Sequence, residues 1–218
     1  MRRIFDEKKP FFTSVGHITA GLSALFFLIA LGLAAVLLFR PFYRFEMGYL
    51  DIPGSSGYSP EEIMANYDGL IRWCMPWVTS DFSLPTFPSS ATAAFHFQQV
   101  KNVFRALWIL GILGGLTLAI LLARTSGTLR RTRCRRAGWT VLAVPLILGA
   151  GAAADFSRAF VLFHDVVFRN DYWRFDHRTD PVILILPETY FMHAFALILA
   201  LAAAGAFLLL RLGRRGDL

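Results

Sequence analysis

The chain has 218 residues, of which 56% are apolar and only 17% are charged, and its formal net charge is +7. Ordinary soluble domains are about half apolar and a quarter charged. A chain this rich in Phe, Leu and Ala is not intrinsically disordered, and its apolar residues form unbroken blocks that argue against a soluble globule. The composition therefore predicts an integral membrane protein.

Four apolar blocks are each long enough to cross a bilayer. A hydrocarbon core about 30 Å thick needs about 20 apolar residues in a helix. Each span should be helical because the backbone must satisfy its own hydrogen bonds in lipid. The predicted spans are residues 15–39, 103–123, 139–163 and 190–210.

Two long segments, 40–102 and 155–189, are predicted to form a cap on one side of the membrane. In the first segment Ser59, Pro60 and Glu62 are typical of a helix N-terminus, and the helix should run to about Trp73. The predicted fold is an all-α integral membrane protein: a single domain of four transmembrane helices over 1–218, with an extracellular cap of short helices and loops.

The distribution of charge predicts the orientation of the chain. Both termini and the connection between the second and third spans carry thirteen basic and three acidic residues together, whereas the two cap segments and the spans carry nine basic and twelve acidic residues. Basic residues favour the cytoplasmic side. We therefore expect cytoplasmic termini, an outer cap, and contacts between the arginine cluster and anionic membrane lipids rather than nucleic acid.

Familiar catalytic and metal-binding motifs are missing. The sequence has no GxSxG elbow, no HExxH, no glycine-rich phosphate loop and no repeated Cys/His pattern. Its two cysteines, Cys74 and Cys134, form no CxxC pair. The acidic residues of 155–189 lack the spacing of a calcium loop. No metal and no cofactor are expected.

Two histidines are predicted at a matched depth near the outer membrane surface. His96 precedes the second span by seven residues, which places it about 10 Å beyond the hydrocarbon if the helix continues outward. His164 follows Trp139 by 25 residues, about 37 Å along a helix. A lone interfacial histidine is usually structural, but two at one depth, flanked by Phe95, Phe97 and Phe163, are candidates for chemistry. A lipid-facing groove is expected beside them at the outer leaflet.

Four further residues are candidates for supporting roles. Asp155 and Arg158 are three positions apart near the outer end of the predicted third span, so they could pair on one helix face. Such charges either face a polar interior or extend to the interface. Lys101 and Glu188 lie close to the predicted outer ends of the second and fourth spans.

The sequence resembles the lipoprotein intramolecular transacylase family (Lit). The resemblance rests on FHDVVFRNDYW at the end of the third span, on DPVILILPETYF entering the fourth, and on AFHFQQVKNVF before the second. The order of these motifs, the four spans and the long first outer segment extend it over nearly the full chain. This chain has Gln98 and Gln99 where an acidic residue follows the family's first histidine.

This resemblance implies a bacterial cell-membrane enzyme with its active site at the outer leaflet. Such an enzyme moves the sn-2 acyl chain of a diacylglyceryl-cysteine lipoprotein to the cysteine's own α-amine, which gives a lyso-form lipoprotein. The family's paired histidines correspond to His96 and His164. One would be the base for the amine and the other the acid or oxyanion partner, and the sequence leaves the assignment open, as it does the oligomeric state.

Two other functional classes are compatible with parts of the sequence. A non-catalytic scaffold or assembly factor would explain the aromatic outer segments without needing matched histidines. A small transporter is disfavoured because the four spans show no evident repeat and no charged midpoint.

Overall fold

The computed structural model describes residues 2–214, and their side chains from Ser14 to Arg214. Several charges behind the predicted orientation, among them Arg215 and Asp217, lie outside the described residues. Within residues 2–214 the regular structure is entirely helical. The nine helices of this part are α1 Arg2–Leu38, α2 Arg40–Tyr49, α3 Ile52–Ser56, α4 Pro60–Trp73, α5 Ala91–Ala123, α6 Gly127–Ala154, α7 Phe156–Val167, α8 Val182–Ile185 and α9 Glu188–Arg214.

Four of the helices in the described part are long and apolar enough to cross a membrane. These segments are Ser14–Leu38, Ala91–Ala123, Gly127–Ala154 and Glu188–Arg214. The predicted all-α membrane fold is therefore confirmed. The helix predicted after Ser59 is also confirmed, because the Ser59 hydroxyl accepts the Glu62 N–H at 3.2 Å and caps α4.

The structure has two helices where the sequence predicted one over 139–163. Asp155 interrupts the helix with an extended backbone (φ −162°, ψ 96°), and its carboxylate accepts the backbone N–H of Arg158 at 2.9 Å. An aspartate in this conformation is a favourable N-cap, so it starts α7. The expected Asp155–Arg158 pair is thus a backbone cap, and the depth of His164 does not follow from one straight helix.

Contacts divide the chain into two compact units, and the single-domain assignment stays a prediction. The first unit spans Met1–Leu33, Leu107–Ala150 and Leu197–Leu218. Its core is rich in alanine, and its buried residues come from α1, α6 and α9. Small residues let membrane helices approach closely, so packing of backbones replaces packing of large side chains. The core residues are Ala20, Ala24, Leu28, Ala137, Val141, Ala202, Ala206 and Leu209.

The second unit spans Ala34–Ala106 and Gly151–Ala196 and is held by buried polar and aromatic contacts. The rings of Tyr43 and Tyr67 stack at 3.5 Å, and the hydroxyls of Tyr67 and Tyr190 lie 3.0 Å apart. The buried Glu46 on α2 bonds His193 of α9 at 2.7 Å. Neither α2 nor this carboxylate–imidazole contact was predicted from the sequence.

A glycine of α5 tests the close packing of the first unit. A Cβ at Gly114 would lie 2.6 Å from the carbonyl oxygen of Ser23, whereas one at Gly151 would meet nothing within 4 Å. We expect Gly114→Ala to lower the free energy of unfolding by about 1–3 kcal/mol, the usual cost of overpacking. Gly151→Ala should be neutral or slightly stabilising, because alanine favours helix more than glycine does. Thermal unfolding in detergent measures both, and equal stability of the two variants would contradict the packing.

Candidate active site

The two histidines singled out from the sequence lie together in the second unit. His96 is in the second turn of α5 and His164 is near the end of α7. Their ring centroids are 5.9 Å apart, with 29° between the ring planes. A small polar group that reaches one imidazole is therefore close to the other as well.

Aromatic side chains cover both imidazoles. Phe168 and Phe175 meet the His96 ring edge-on, at centroid distances of 4.7 and 5.6 Å. Trp173 and Phe160 lie 4.4 and 4.3 Å from the ring of His164. Only 5% of His96 and 8% of His164 is exposed, so the structure shows covered rings in place of the open groove expected from the sequence.

His164 is fixed in one tautomer by a backbone carbonyl. Its Nδ1 lies 2.7 Å from the Phe160 oxygen, and a carbonyl only accepts, so Nδ1 carries the proton. The lone pair is then on Nε2, where a proton can be received. Burial lowers the pKa of His164 below its usual 6.5, although the Phe160 carbonyl and Asp165 oppose this effect. The ring is therefore neutral at physiological pH, as a general base requires.

Two buried nitrogen atoms of this cluster have no hydrogen-bond partner among the described residues. They are Nδ1 of His96 and Nε1 of Trp173. Buried polar atoms in native proteins are nearly always bonded, so each exception has a cause to be sought. Within residues 14–214 these two nitrogen atoms are therefore free to form hydrogen bonds with a bound molecule.

A side-chain network links the helices that carry the two histidines. The Asn170 amide donates to the Gln99 side chain at 3.1 Å and to the Phe168 carbonyl at 2.7 Å. Gln99 also donates to the same carbonyl, at 3.5 Å. Because Gln99 is on α5 and Phe168 caps α7, this network fixes the two helices against each other.

The start of α5 is fixed by a buried aspartate. Asp180 is 2% exposed, and its carboxylate accepts the backbone N–H of Ser90 at 2.6 Å. The Ser90 hydroxyl in turn accepts the N–H of Ala93 at 3.1 Å, which caps the helix just before His96. The bridging roles of Gln99 and Asn170 were not predicted from the sequence. Asp180 was one of four acidic residues expected to orient a histidine or bind a cation, and in the structure it accepts the Ser90 N–H. Only the Ser-x-x start of α5 was a local signal for any of these contacts.

The four residues predicted to support the histidines have other contacts. Lys101 donates to the Val78 carbonyl at 2.6 Å and lies over the ring of Trp73 at 4.1 Å. Glu188 accepts the Ser157 hydroxyl at 2.5 Å, and Asp155 caps α7 through the Arg158 N–H. In the described part of the chain, none of the four forms a hydrogen bond or ion pair with either imidazole.

Comparison with known proteins gives one family and several solved structures. The sequence model described as "Lipoprotein intramolecular transacylase Lit" matches residues 18–191. A solved structure of the membrane-integral Lit of Bacillus cereus is similar with a TM-score of 0.89 and 30% identity, over 94% of this chain and 96% of that one. Comparison with curated proteins gives no match.

Two further structures of the Bacillus cereus protein carry substitutions of a histidine. The one with arginine has a TM-score of 0.87 and 29% identity, over 98% of this chain and 96% of that one. The one with alanine has a TM-score of 0.77 and 31% identity, over 95% and 94% of the two chains.

The protonation of His164 is directly measurable. With ¹⁵N-labelled histidine in detergent micelles, we expect the His164 signals to show a proton on Nδ1 and mostly neutral imidazole at pH 6.5, because burial lowers its pKa. Comparison with the spectrum of His164→Asn assigns the signals. A proton on Nε2, or a ring mostly protonated at pH 6.5, would contradict the geometry.

Proposed function

Because the chain belongs to the lipoprotein intramolecular transacylase family, we propose that His96 and His164 are the residues that carry out its acyl transfer. The protein is a membrane enzyme that moves the sn-2 acyl chain of a diacylglyceryl-cysteine lipoprotein to that cysteine's α-amine. The observation that carries our assignment is the pair of imidazoles 5.9 Å apart within a buried aromatic cluster.

The reaction needs positioning more than it needs a nucleophilic side chain. The amine and the ester carbonyl belong to one lipidated cysteine, so the enzyme has to fold one substrate molecule into attack geometry. Well-oriented intramolecular reactions gain about 7–11 kcal/mol in this way. The amine has a pKa of about 7.7–8.0, so a useful fraction is neutral at physiological pH. The transfer can thus proceed directly from oxygen to nitrogen.

His164 is the base in our assignment. The amine nitrogen attacks the sn-2 carbonyl carbon, and the proton that nitrogen loses goes to the free Nε2 of His164. The carbon–oxygen bond to glycerol then breaks, and the same proton goes to the leaving glycerol oxygen. The amide and the free hydroxyl are formed with no net change in protons. General acid–base catalysis of this kind contributes about 10²–10⁴-fold.

His96 is the partner on the oxygen side. As a neutral imidazole it has one N–H, which can donate to the carbonyl oxygen while negative charge develops there. Removal of water from the cluster strengthens such a contact, since hydrogen bonds to charge are stronger at low dielectric. The covering phenylalanines also keep water from hydrolysing the ester.

The lipid substrate reaches these rings only when some of the aromatic cover moves. Phe95 and Phe163 flank the histidines in sequence and are 52% and 49% exposed. Exposed phenylalanines at a membrane surface contact acyl chains at little cost. We therefore assign these two side chains to the side of the site at which the acyl chains of the substrate enter from the membrane.

The assigned orientation places the histidines at the outer leaflet, with both termini cytoplasmic. Helix α5 places His96 28 residues before Arg124, which is about 42 Å along a helix and longer than a 30 Å hydrocarbon core. We place the arginine-rich residues 124–136, which include the first turns of α6, on the cytoplasmic side, because basic residues concentrate there in membrane proteins. Contacts of these arginines with anionic lipid headgroups belong to the same assignment.

Two cysteine variants test this orientation. Glu61 of α4 and Arg130 of α6 are both exposed, whereas Cys74 and Cys134 are buried. We expect a membrane-impermeant maleimide to label Glu61→Cys in intact cells and Arg130→Cys only after lysis. The reverse pattern would contradict the assigned orientation.

Separate replacement of the two histidines tests their roles. We expect His96→Asn and His164→Asn each to lower the rate of N-acylation by at least about 10²-fold, because each removes a proton donor or acceptor from the transition state. Mass spectrometry of the N-terminal peptide of a co-expressed lipoprotein measures the transfer, and membrane fractionation checks insertion.

His177→Asn is the matched control, since its side chain is 65% exposed. It should retain the activity of the unsubstituted protein. A non-catalytic scaffold would show no transfer with any of these chains. Normal activity in His96→Asn or in His164→Asn would show that the replaced histidine has no part in the mechanism.

A further inference from the structure

We propose that the indole N–H of Trp173 donates a hydrogen bond to the carbonyl oxygen of the substrate and stabilises the oxyanion of the transition state. This inference rests on the proposed roles of His96 and His164, and it adds a third catalytic residue to them. Trp173 lies in the loop between α7 and α8. The family resemblance and the motif analysis gave this tryptophan no chemical role.

The first observation is the buried, unused donor of Trp173. Its Nε1 is inaccessible and has no partner among the described residues. An indole N–H is a donor only, so nothing but an acceptor can satisfy it. Tryptophans in interiors are usually placed where this N–H finds a partner. Trp73 of the same unit follows that rule, because its Nε1 donates to the Ser80 carbonyl at 2.9 Å.

The second observation is the position of the ring beside the proposed base. The Trp173 and His164 rings are 4.4 Å apart with 34° between their planes. The guanidinium of Arg174 lies over the Trp173 ring at 4.7 Å, and Phe160 meets it edge-on at 6.1 Å. These contacts hold the indole in place before a substrate arrives.

The third observation is the second unpartnered nitrogen in the same cluster. Nδ1 of His96 is also inaccessible and unbonded within the described part of the chain, and His96 is 95% buried, since 5% is exposed. Both unbonded nitrogens therefore belong to rings packed against the His164 imidazole. The fold already bears the desolvation penalty of these unpaired nitrogens. A substrate acceptor placed within this cluster would remove part of that penalty.

The chemistry of the reaction supplies that acceptor. When the amine nitrogen bonds to the carbonyl carbon, the carbon–oxygen double bond becomes single and its electron pair moves to the oxygen. No proton needs to reach this oxygen, so a neutral donor with a very high pKa suits it. When the bond to glycerol breaks, the double bond re-forms and the contact weakens again. A fixed N–H therefore favours the transition state over both ends of the reaction.

The test separates the N–H from the packing of the ring. Trp173→Phe keeps an aromatic side chain but shortens it, whereas 3-benzothienylalanine at position 173 keeps the indole shape and replaces N–H by sulfur. We expect the isosteric variant to lower the single-turnover rate constant by about 10²-fold, as loss of one oxyanion donor does. Its thermal midpoint and its half-saturating substrate concentration should stay close to those of the unsubstituted protein.

Trp77→Phe is the matched control, since Trp77 is 75% exposed, and it should leave the rate unchanged. A folded isosteric variant with the rate of the unsubstituted protein would overturn the role of Trp173. Inactive His96→Asn and His164→Asn beside that result would leave the histidine assignment standing. Normal rates in both histidine variants would instead remove the reaction site on which this inference rests.

Discussion

The contact between α5 and the end of α7 is the feature on which the proposed chemistry depends. His96 and His164 are far apart in sequence, and their rings come within 5.9 Å only because these two helices are fixed together. Three side chains from outside the pair hold this contact. Gln99 and Asn170 bridge the helices, and Asp180 fixes the first turn of α5. Because the bonds are between buried or half-buried polar groups, each is specific in direction as well as favourable in energy.

In the proposed mechanism burial makes the histidine pair reactive, and the same burial destabilises the fold because it leaves polar atoms unpaired. The aromatic cover lowers the pKa of His164 and keeps the ring neutral. The Phe160 carbonyl accepts a hydrogen bond from the proton-bearing Nδ1 of this ring, so the free lone pair of the imidazole is on Nε2. The same cover leaves nitrogens of His96 and Trp173 without partners in the described residues. A protein that was selected only for stability would have paired or replaced these groups. Unpaired nitrogens beside the proposed base are what a preorganised site for a developing oxyanion requires.

The sequence predicts the membrane fold well because hydrophobicity is a local property. Apolar runs and basic flanks identified four spans, and Ser59 with Glu62 marked the start of α4. The break at Asp155 was missed, since an aspartate beside long apolar runs also suits an interfacial helix and only the backbone angles show the N-cap. Lys101 and Glu188 were grouped with the histidines because they lie in the motifs of the family resemblance, and Asp155 and Arg158 because of their depth and spacing. Neither depth nor spacing gives the direction of a side chain around a helix. In the structure the Asp155–Arg158 contact is local, whereas Lys101 and Glu188 bond segments that are distant in sequence.

Contacts between distant segments were the hardest to predict. Nothing near Gln99 indicates Asn170, and nothing near Glu46 indicates His193, because each pair is set by packing of helices that the sequence shows separately. The pairing of His96 with His164 was predictable because motif resemblance named both residues. The depth estimate for His164 assumed one straight helix, which the structure breaks at Asp155. The sequence gives no signal for a chemical role of Trp173, since a tryptophan near a membrane surface is usually an interfacial anchor. Trp108 also has a buried indole N–H without a partner among the described residues, and what distinguishes Trp173 is that its ring lies 4.4 Å from that of His164.

A rapid-quench crossover experiment tests the central claim, direct transfer between two groups of one substrate held by both imidazoles. Two diacylglyceryl lipopeptides would be mixed, one with a heavy peptide and a light sn-2 chain, the other with the opposite labels. The account predicts that every N-acylated peptide keeps its own chain and that the intact mass of the enzyme never shows an acyl adduct. Exchange of chains between the peptides, or an acylated enzyme that forms and decays at the rate of turnover, would contradict it.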